Sequence, residues 1–228
     1  MIGGEAMTII EAAERRHTVR QYTGRRIPKD IVEQLAAKIN QNNRKYNLKM
    51  KLALENTEAF GAVTRLILAK GVRNYIVLAG ENTPDVDERL GYCGADVMLL
   101  AQALGLNSWW AGGSFSRKGA RKNAGAAKAD KVAGVIAVGY GAVQGAAHKS
   151  KKPEEVSRYI GTAPEWFIKG VETALLAPTA LNKQAFLIKG AGSRVSLICS
   201  NGAFSGIELG IIKFHFEAGA GKENFEWV

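Results

Sequence analysis

The sequence predicts a mixed-sheet fold of the α+β or α/β class, on two observations. Amphipathic stretches with helix caps alternate along the chain with compact β-branched and aromatic runs too short to be helices. At 228 residues and 46% hydrophobic, the chain can bury roughly 70–75% of the surface its unfolded form exposes, enough for one sizeable domain or two small fused ones.

The elements follow in order. Thr8 and Glu11 form a Ser/Thr-x-x-Glu capping box, and Ile9, Ile10 and Ala13 give the helix behind it an apolar side. Arg15 and Arg16 fall in its last turn, where by themselves they would complement the helix dipole by ~0.3–1 kcal/mol. Pro28 starts a second helix, carried by Ile31, Leu35 and Ile39 and expected to end in the polar stretch 40–47. Residues 48–54 alternate and residues 75–79 form a β-branched run; both read as strands. Thr83-Pro84-Asp85 opens a long helix bearing Val97, Leu100, Ala101 and Leu104, and Gly105 should stop it. Residues 108–111 read as a strand running into Gly112-Gly113, and residues 132–138 as a strand buried on both faces. Thr162 and Glu165, with Pro164 between them, announce a helix through Val171 and Leu175.

Composition removes several function classes. The net charge of +10 favours anionic ligands without choosing among them. Cys93 and Cys199 lie in no CxxC and near no His-rich cluster, which speaks against a disulfide framework or a zinc site and for a reducing compartment. The opening Met1-Ile2-Gly3-Gly4-Glu5 has neither a basic nor an apolar leader region, and no apolar run reaches the ~18 residues of a membrane span, so the expected location is the cytoplasm, away from membranes. Gly139-Tyr140-Gly141-Ala142-Val143-Gln144-Gly145 has GxGxxxG spacing with no amphipathic helix behind it, which fits a tight strand exit better than a dinucleotide fingerprint. The basic tract 117–131 lacks interleaved aromatics and reads as a solvated face, leaving nucleic-acid binding as the alternative from another class.

The most informative stretch is Arg16-His17-Thr18-Val19-Arg20-Gln21-Tyr22, which sets two guanidinium groups and a hydroxyl directly after a helix. It resembles the N-terminal flavin mononucleotide (FMN) motif of the nitroreductase family, roughly Arg-(Arg/His)-(Ser/Thr)-x-(Arg/Lys)-x-(Phe/Tyr), with every position filled. A second segment, Ala177-Pro178-Thr179-Ala180-Leu181-Asn182-Lys183-Gln184-Ala185-Phe186, is similar to the family's Ala-Pro-Ser-x-x-Asn-x-Gln-Pro-Trp stretch. In ordinary members that stretch comes from the partner subunit and lines the flavin. A third piece, 103–113, resembles the helix-then-strand segment whose closing glycine offers a backbone N–H to the flavin, with Gly112 standing where an acidic residue is often found; this departure would widen the pocket or change the fit of the hydride donor. Lys149, Lys151 and Lys152 resemble the basic tail that closes on the phosphate.

The resemblance implies an α+β, nitroreductase-like fold with FMN as cofactor. Arg16, His17 and Thr18 would hold the phosphate, with Lys149 and Lys151 nearby. Arg20 would lie beside the polar edge of the ring, while Ala111, Gly112 and Gly113 and, from the second half, Pro178, Thr179, Ala180, Asn182 and Gln184 would approach it. No nucleophile-base or paired-carboxylate constellation is apparent, and His148 and His215 read as surface or core residues.

The late position of the Pro178 segment points to a fused pseudodimer, the single-chain form of the TM nitroreductase type. Placing Pro28 on Pro164 sets Leu35 on Val171, Ile39 on Leu175 and Leu52 on Ile188 without gaps, and residues 94–104 pair loosely with 206–216. Arg16, Thr18 and Arg20 then meet Lys152, Glu154 and Val156, while Pro178 and Asn182 meet Asn42 and Tyr46, so each copy keeps what the other has lost. The expectation is a first half, 1–152, with the phosphate-binding arm, and a shorter second half, 153–228, with the flavin-lining segment. The expected function is an NAD(P)H-dependent flavin oxidoreductase passing electrons to a nitro, quinone or similar acceptor, as a monomer. A flavin binder with little or no turnover is the alternative within the fold.

Overall fold

The computed structural model describes residues 7–228, so the N-terminal stretch read above for a leader lies outside it. Helix α1 (Ile9–Arg15) begins with the expected box: the Thr8 side chain accepts from the Glu11 N–H, and the Glu11 carboxylate accepts from the Thr8 N–H at 2.8 Å. Helix α2 (Lys29–Tyr46) ends within the expected polar stretch, close to its far end. Two asparagines hold that stretch in place. Asn42 is buried and donates to Asp96, while Asn43 exchanges hydrogen bonds with the Met50 backbone, so the polar turn is bonded in the tertiary structure.

Strand β1 (Lys51–Ala53), helix α3 (Ala62–Ile67), strand β2 (Tyr75–Gly80), helix α4 (Val86–Ala103), strand β3 (Asn107–Ala111), helix α5 (Arg117–Ala124) and strand β4 (Lys131–Gly139) complete the first part. The strands form an antiparallel sheet in the order β1-β2-β4-β3. Helix α6 (Pro153–Val156), strand β5 (Ser157–Ile160), helix α7 (Glu165–Ala174), strands β6 (Phe186–Ala191) and β7 (Arg194–Cys199), helix α8 (Ser205–Ala220) and strand β8 (Glu226–Trp227) follow. Their sheet, β5-β6-β7-β8, is the mixed one, with β5 and β8 parallel to their neighbours. The fold is thus α+β with two sheets. At α7 the Thr162 box does not form: Pro164 takes the N-cap and no side chain caps it.

A helix, two antiparallel strands and a long helix occur in α2, β1, β2, α4, with α3 inserted between the strands, and in α7, β6, β7, α8, whose strands are joined by a tight turn. Helices α4 and α8 cross closely, because a Cβ at Gly91 would overlap the Ile207 carbonyl and one at Gly210 the Glu88 carbonyl. A continuous core joins both parts, from Leu35, Ile39 and Met98 to Phe167, Val171 and Phe216. A second cluster, including Phe60, Tyr75, Val77 and Trp109, covers the other face of the first sheet, which is why β2 and β4 read as apolar throughout. Among the described residues no helix is long and apolar enough to cross a membrane.

Candidate functional site

The arginine segment is held as an extra edge on the first sheet. Thr18 bridges Ser108 in parallel, and the Val19 N–H donates to the Ser108 carbonyl at 3.0 Å. That pairing lays Thr18 and Arg20 along β3, and the Arg20 guanidinium sits 5.2 Å from the Trp109 ring centroid. The glycine-rich exit from β4 packs on the same segment: a Cβ at Gly145 would come within 2.6 Å of the Thr18 carbonyl and 2.7 Å of His17 Cβ. Close backbone approach, and no dinucleotide motif, is the reason for that glycine.

From the second half the loop after α7 reaches the same place. Leu181, Asn182 and Gln184 all have positive φ, between 45° and 54°, a strained stretch for residues with side chains. Gln184 holds it in shape. Its amide donates to the Leu175 carbonyl and accepts from the Lys151 N–H, the Lys151 ammonium donates to its carbonyl, and its own N–H donates to Thr179 Oγ1. Asn182 Nδ2 donates to the Lys149 carbonyl at 2.8 Å. Glu208, in the first turn of α8, accepts from the Ala180 N–H at 2.6 Å.

Between these segments lies a groove with two lobes. One lobe, about 310 Å³, is lined by Trp109, Trp110, Gly112, Phe204, Ile207 and Ile211; Ala111, Gly113 and Ala180 also border it. The other, about 520 Å³, is lined by Arg16, Gln21, Val143, Gly145, His148 and Asn182. Thr18, Arg20, Pro178, Thr179 and Leu181 border both. The groove is therefore aromatic and apolar at one end and cationic at the other.

Arg16 sets the character of the cationic end. It is 5% exposed, among the described residues its Nε has no hydrogen-bond partner and no carboxylate opposes it, and burial pushes its pKa down to about 10. His17 is also lowered, by desolvation first and then by Arg16 and His148, whose side chains lie close to it. His215 lies behind Arg16 in the core: its Nδ1 is 2.8 Å from the Ile211 carbonyl and so carries the hydrogen, its Nε2 has no partner, and burial holds its pKa near 4. Burial pushes both cysteine thiols up to about 12, which disfavours their thiolate forms.

Most residues expected from the sequence line the groove, but not all do. His17, Lys149, Lys151 and Gln184 lie outside its lining, and Gln184 together with Lys151 ties the tail to the strained loop instead of facing the cavity. Gly112 does not widen the pocket, because a Cβ there would meet Phe204 Cε1 at 2.9 Å: the ring occupies the space. Sequence reading missed Phe204, Ile207, Glu208 and Ile211. Their i, i+3, i+4, i+7 spacing is one helical face, the signal that would have found them.

With that geometry in view, the comparisons are specific. Residues 8–220 match the family described as putative TM nitroreductase. The chain belongs to the TM nitroreductase family. A solved structure of a putative nitroreductase from Thermotoga maritima is similar over 96% of this chain and 86% of its own, at a TM-score of 0.69 and 21% identity. A putative NADH dehydrogenase/NAD(P)H nitroreductase from Parabacteroides distasonis matches 65% of this chain and 95% of its own, at a TM-score of 0.51 and 17% identity. A putative NADH oxidase from Clostridium acetobutylicum matches 64% and 96%, at 0.50 and 17%. No curated protein matches the sequence.

Proposed function

We propose that this TM nitroreductase is an FMN-dependent oxidoreductase that takes hydride from NAD(P)H and passes electrons to a nitro, quinone or similar acceptor, using one site built within one chain. The observation that carries the reading is the unpaired, buried Arg16 at the cationic end of a groove whose other end is aromatic and apolar. That polarity suits a flat ring joined to a phosphate. A buried guanidinium with an unpartnered N–H is stabilised by an anion, and its planar fork suits bidentate contact.

FMN, when bound, supplies the hydride and electron chemistry, while the protein orients and sets the charge around it. Arg16 and Thr18 would hold the phosphate, with His17 and the Lys149 to Lys151 tail adding positive potential behind them. Arg20 would put fixed positive charge beside the ring, favouring its reduced form. Pro178, Thr179 and Ala180 would confine the ring from the second half, against Gly112 and Gly113. Relatives named for NAD(P)H nitroreductase and NADH oxidase activity support a nicotinamide donor.

The single-chain site is part of the proposal. Two relatives are matched over 95% and 96% of their length by about two thirds of this chain, leaving about a third beyond them. The helix-strand-strand-helix order common to both parts, with α3 inserted between the strands of the first, supports reading that remainder as a second, reduced copy, with the boundary near 152.

A second reading, a flavin binder with little turnover, is favoured by Phe204 standing over Gly112 where acceptor or donor would enter. Purified protein should carry the visible absorbance of oxidised flavin and oxidise NAD(P)H when menadione or a nitroarene is added. Flavin with no oxidation would select the second reading, and no flavin after incubation with excess FMN would refute both.

A further inference from the structure

The apolar lobe of the groove has two charged residues in its lining, Arg20 and Glu208, and the cationic lobe has no acid. Among the described residues Glu208 is therefore the only carboxylate bordering either lobe. It stands on the α8 face that carries Phe204, Ile207 and Ile211, a charge set in an otherwise apolar stripe. Its Oε1 accepts from the Ala180 N–H at 2.6 Å. No lysine or arginine pairs with it among the described residues, and Lys213 of the same helix is engaged by Glu88 at 2.6 Å instead.

The bond to the loop does not account for the charge. One N–H needs one acceptor oxygen, and the amide of a glutamine would supply it equally well. The carboxylate adds a negative charge without a counter-ion, which the first turn of α8 can sustain because the helix dipole favours an acid there. With FMN in place, its phosphate and its reduced ring would answer Arg16 and Arg20. What then remains in the lobe is the Glu208 carboxylate beside Trp109, Trp110 and Phe204, in surroundings of low polarity where charges act on one another more strongly than in water.

We propose that Glu208 selects the electron acceptor by charge, so that the site takes neutral and cationic aromatic acceptors and discriminates against anionic ones. The inference rests on the flavin site proposed above. The nicotinamide ring of the donor is neutral before hydride leaves it and cationic afterwards, so the same carboxylate does not oppose the reducing half of the cycle.

The test is kcat/KM at neutral pH for para-nitrobenzylamine, para-nitrobenzyl alcohol and para-nitrophenylacetate, in which a methylene insulates the nitroarene from the group that differs. Wild type and Glu208→Gln are compared, with flavin content recorded for each. The glutamine keeps an oxygen for the Ala180 N–H and removes only the charge. Wild type should favour the ammonium over the carboxylate, against the field of a chain of net charge +10, which by itself favours anions. Glu208→Gln should lower the ammonium-to-carboxylate ratio roughly tenfold or more, with the alcohol changed least. Independently, benzylamine should bind FMN-loaded wild type more tightly than phenylacetate, read from the shift in flavin absorbance, which requires neither turnover nor the variant. A preference for the carboxylate or no preference in either wild-type measurement, or a ratio unmoved in Glu208→Gln at normal flavin content, would overturn the proposal. Protein that takes up no FMN would refute the flavin site itself, whereas FMN-loaded protein indifferent to charge would refute this inference alone.

Discussion

Burial of the Arg16 guanidinium without a carboxylate, which pushes its pKa from 12.5 to about 10, costs the flavin-free protein roughly 3 kcal/mol at 1.36 kcal/mol per unit. An anion offsets that cost, and so does removal of the charge. Arg16→Leu should therefore raise the melting temperature of the flavin-free protein while abolishing FMN binding. A variant that melts lower and still binds FMN would show that Arg16 has a packing role only. His215 gives the residue scale its pH dependence. Its folded pKa, about 4, lies below the ordinary 6.5, so the unfolded chain binds the proton first. Stability is full above about 6.5 and declines as pH falls toward about 4, by up to about 3 kcal/mol. Urea titrations across that range should show the slope in wild type and a smaller one in His215→Phe; identical slopes would contradict the assignment.

Single elements show where a sequence is readable. The box at Thr8 and Glu11 involves residues three apart, and the structure forms it. The like-looking box at Thr162 is overridden by Pro164, whose extended backbone already starts α7. Strand β5 escaped notice because Ser157–Ile160 alternates in burial only once it pairs with β6, a long-range event. In the basic tract 117–131, read as a solvated face, Arg117, Lys118, Lys122 and Lys128 are exposed, while Gly119 brings the α5 backbone against the Glu58 carbonyl and Arg121 fixes the following turn. The site divides the same way. Arg16 to Arg20 and Pro178 to Asn182 are contiguous motifs, whereas Phe204, Ile207 and Ile211 reach the groove only because α8 crosses α4. That crossing depends on Gly91 and Gly210. Gly210→Ala should separate the helices and destabilise the protein by about 1–3 kcal/mol. A fall in melting temperature of several degrees, at roughly 2–4 °C per kcal/mol for a chain of this size, is expected. An unchanged melt would mean that the crossing is not tight.

For the whole molecule, the issue is how many chains make one site. Arg16, Thr18 and Arg20 enter the groove from residues before α2, and Pro178, Thr179, Leu181 and Asn182 enter from the loop after α7. Both sets come from one chain, and the core is continuous between the two parts that carry them. At the positions the repeat aligns with the arginine motif stand Lys152, Glu154 and Val156, and Glu154 would set like charge against a phosphate. On the proposed single-chain reading, a further subunit associating on another face would complete nothing in this groove. Light scattering coupled to flavin absorbance measures mass and cofactor content in the same eluting peak, across a dilution series. One FMN per chain, retained by the monomer, is the predicted result. Two flavins per chain, or flavin held only by a dimer and lost when it dissociates, would contradict the single-chain site.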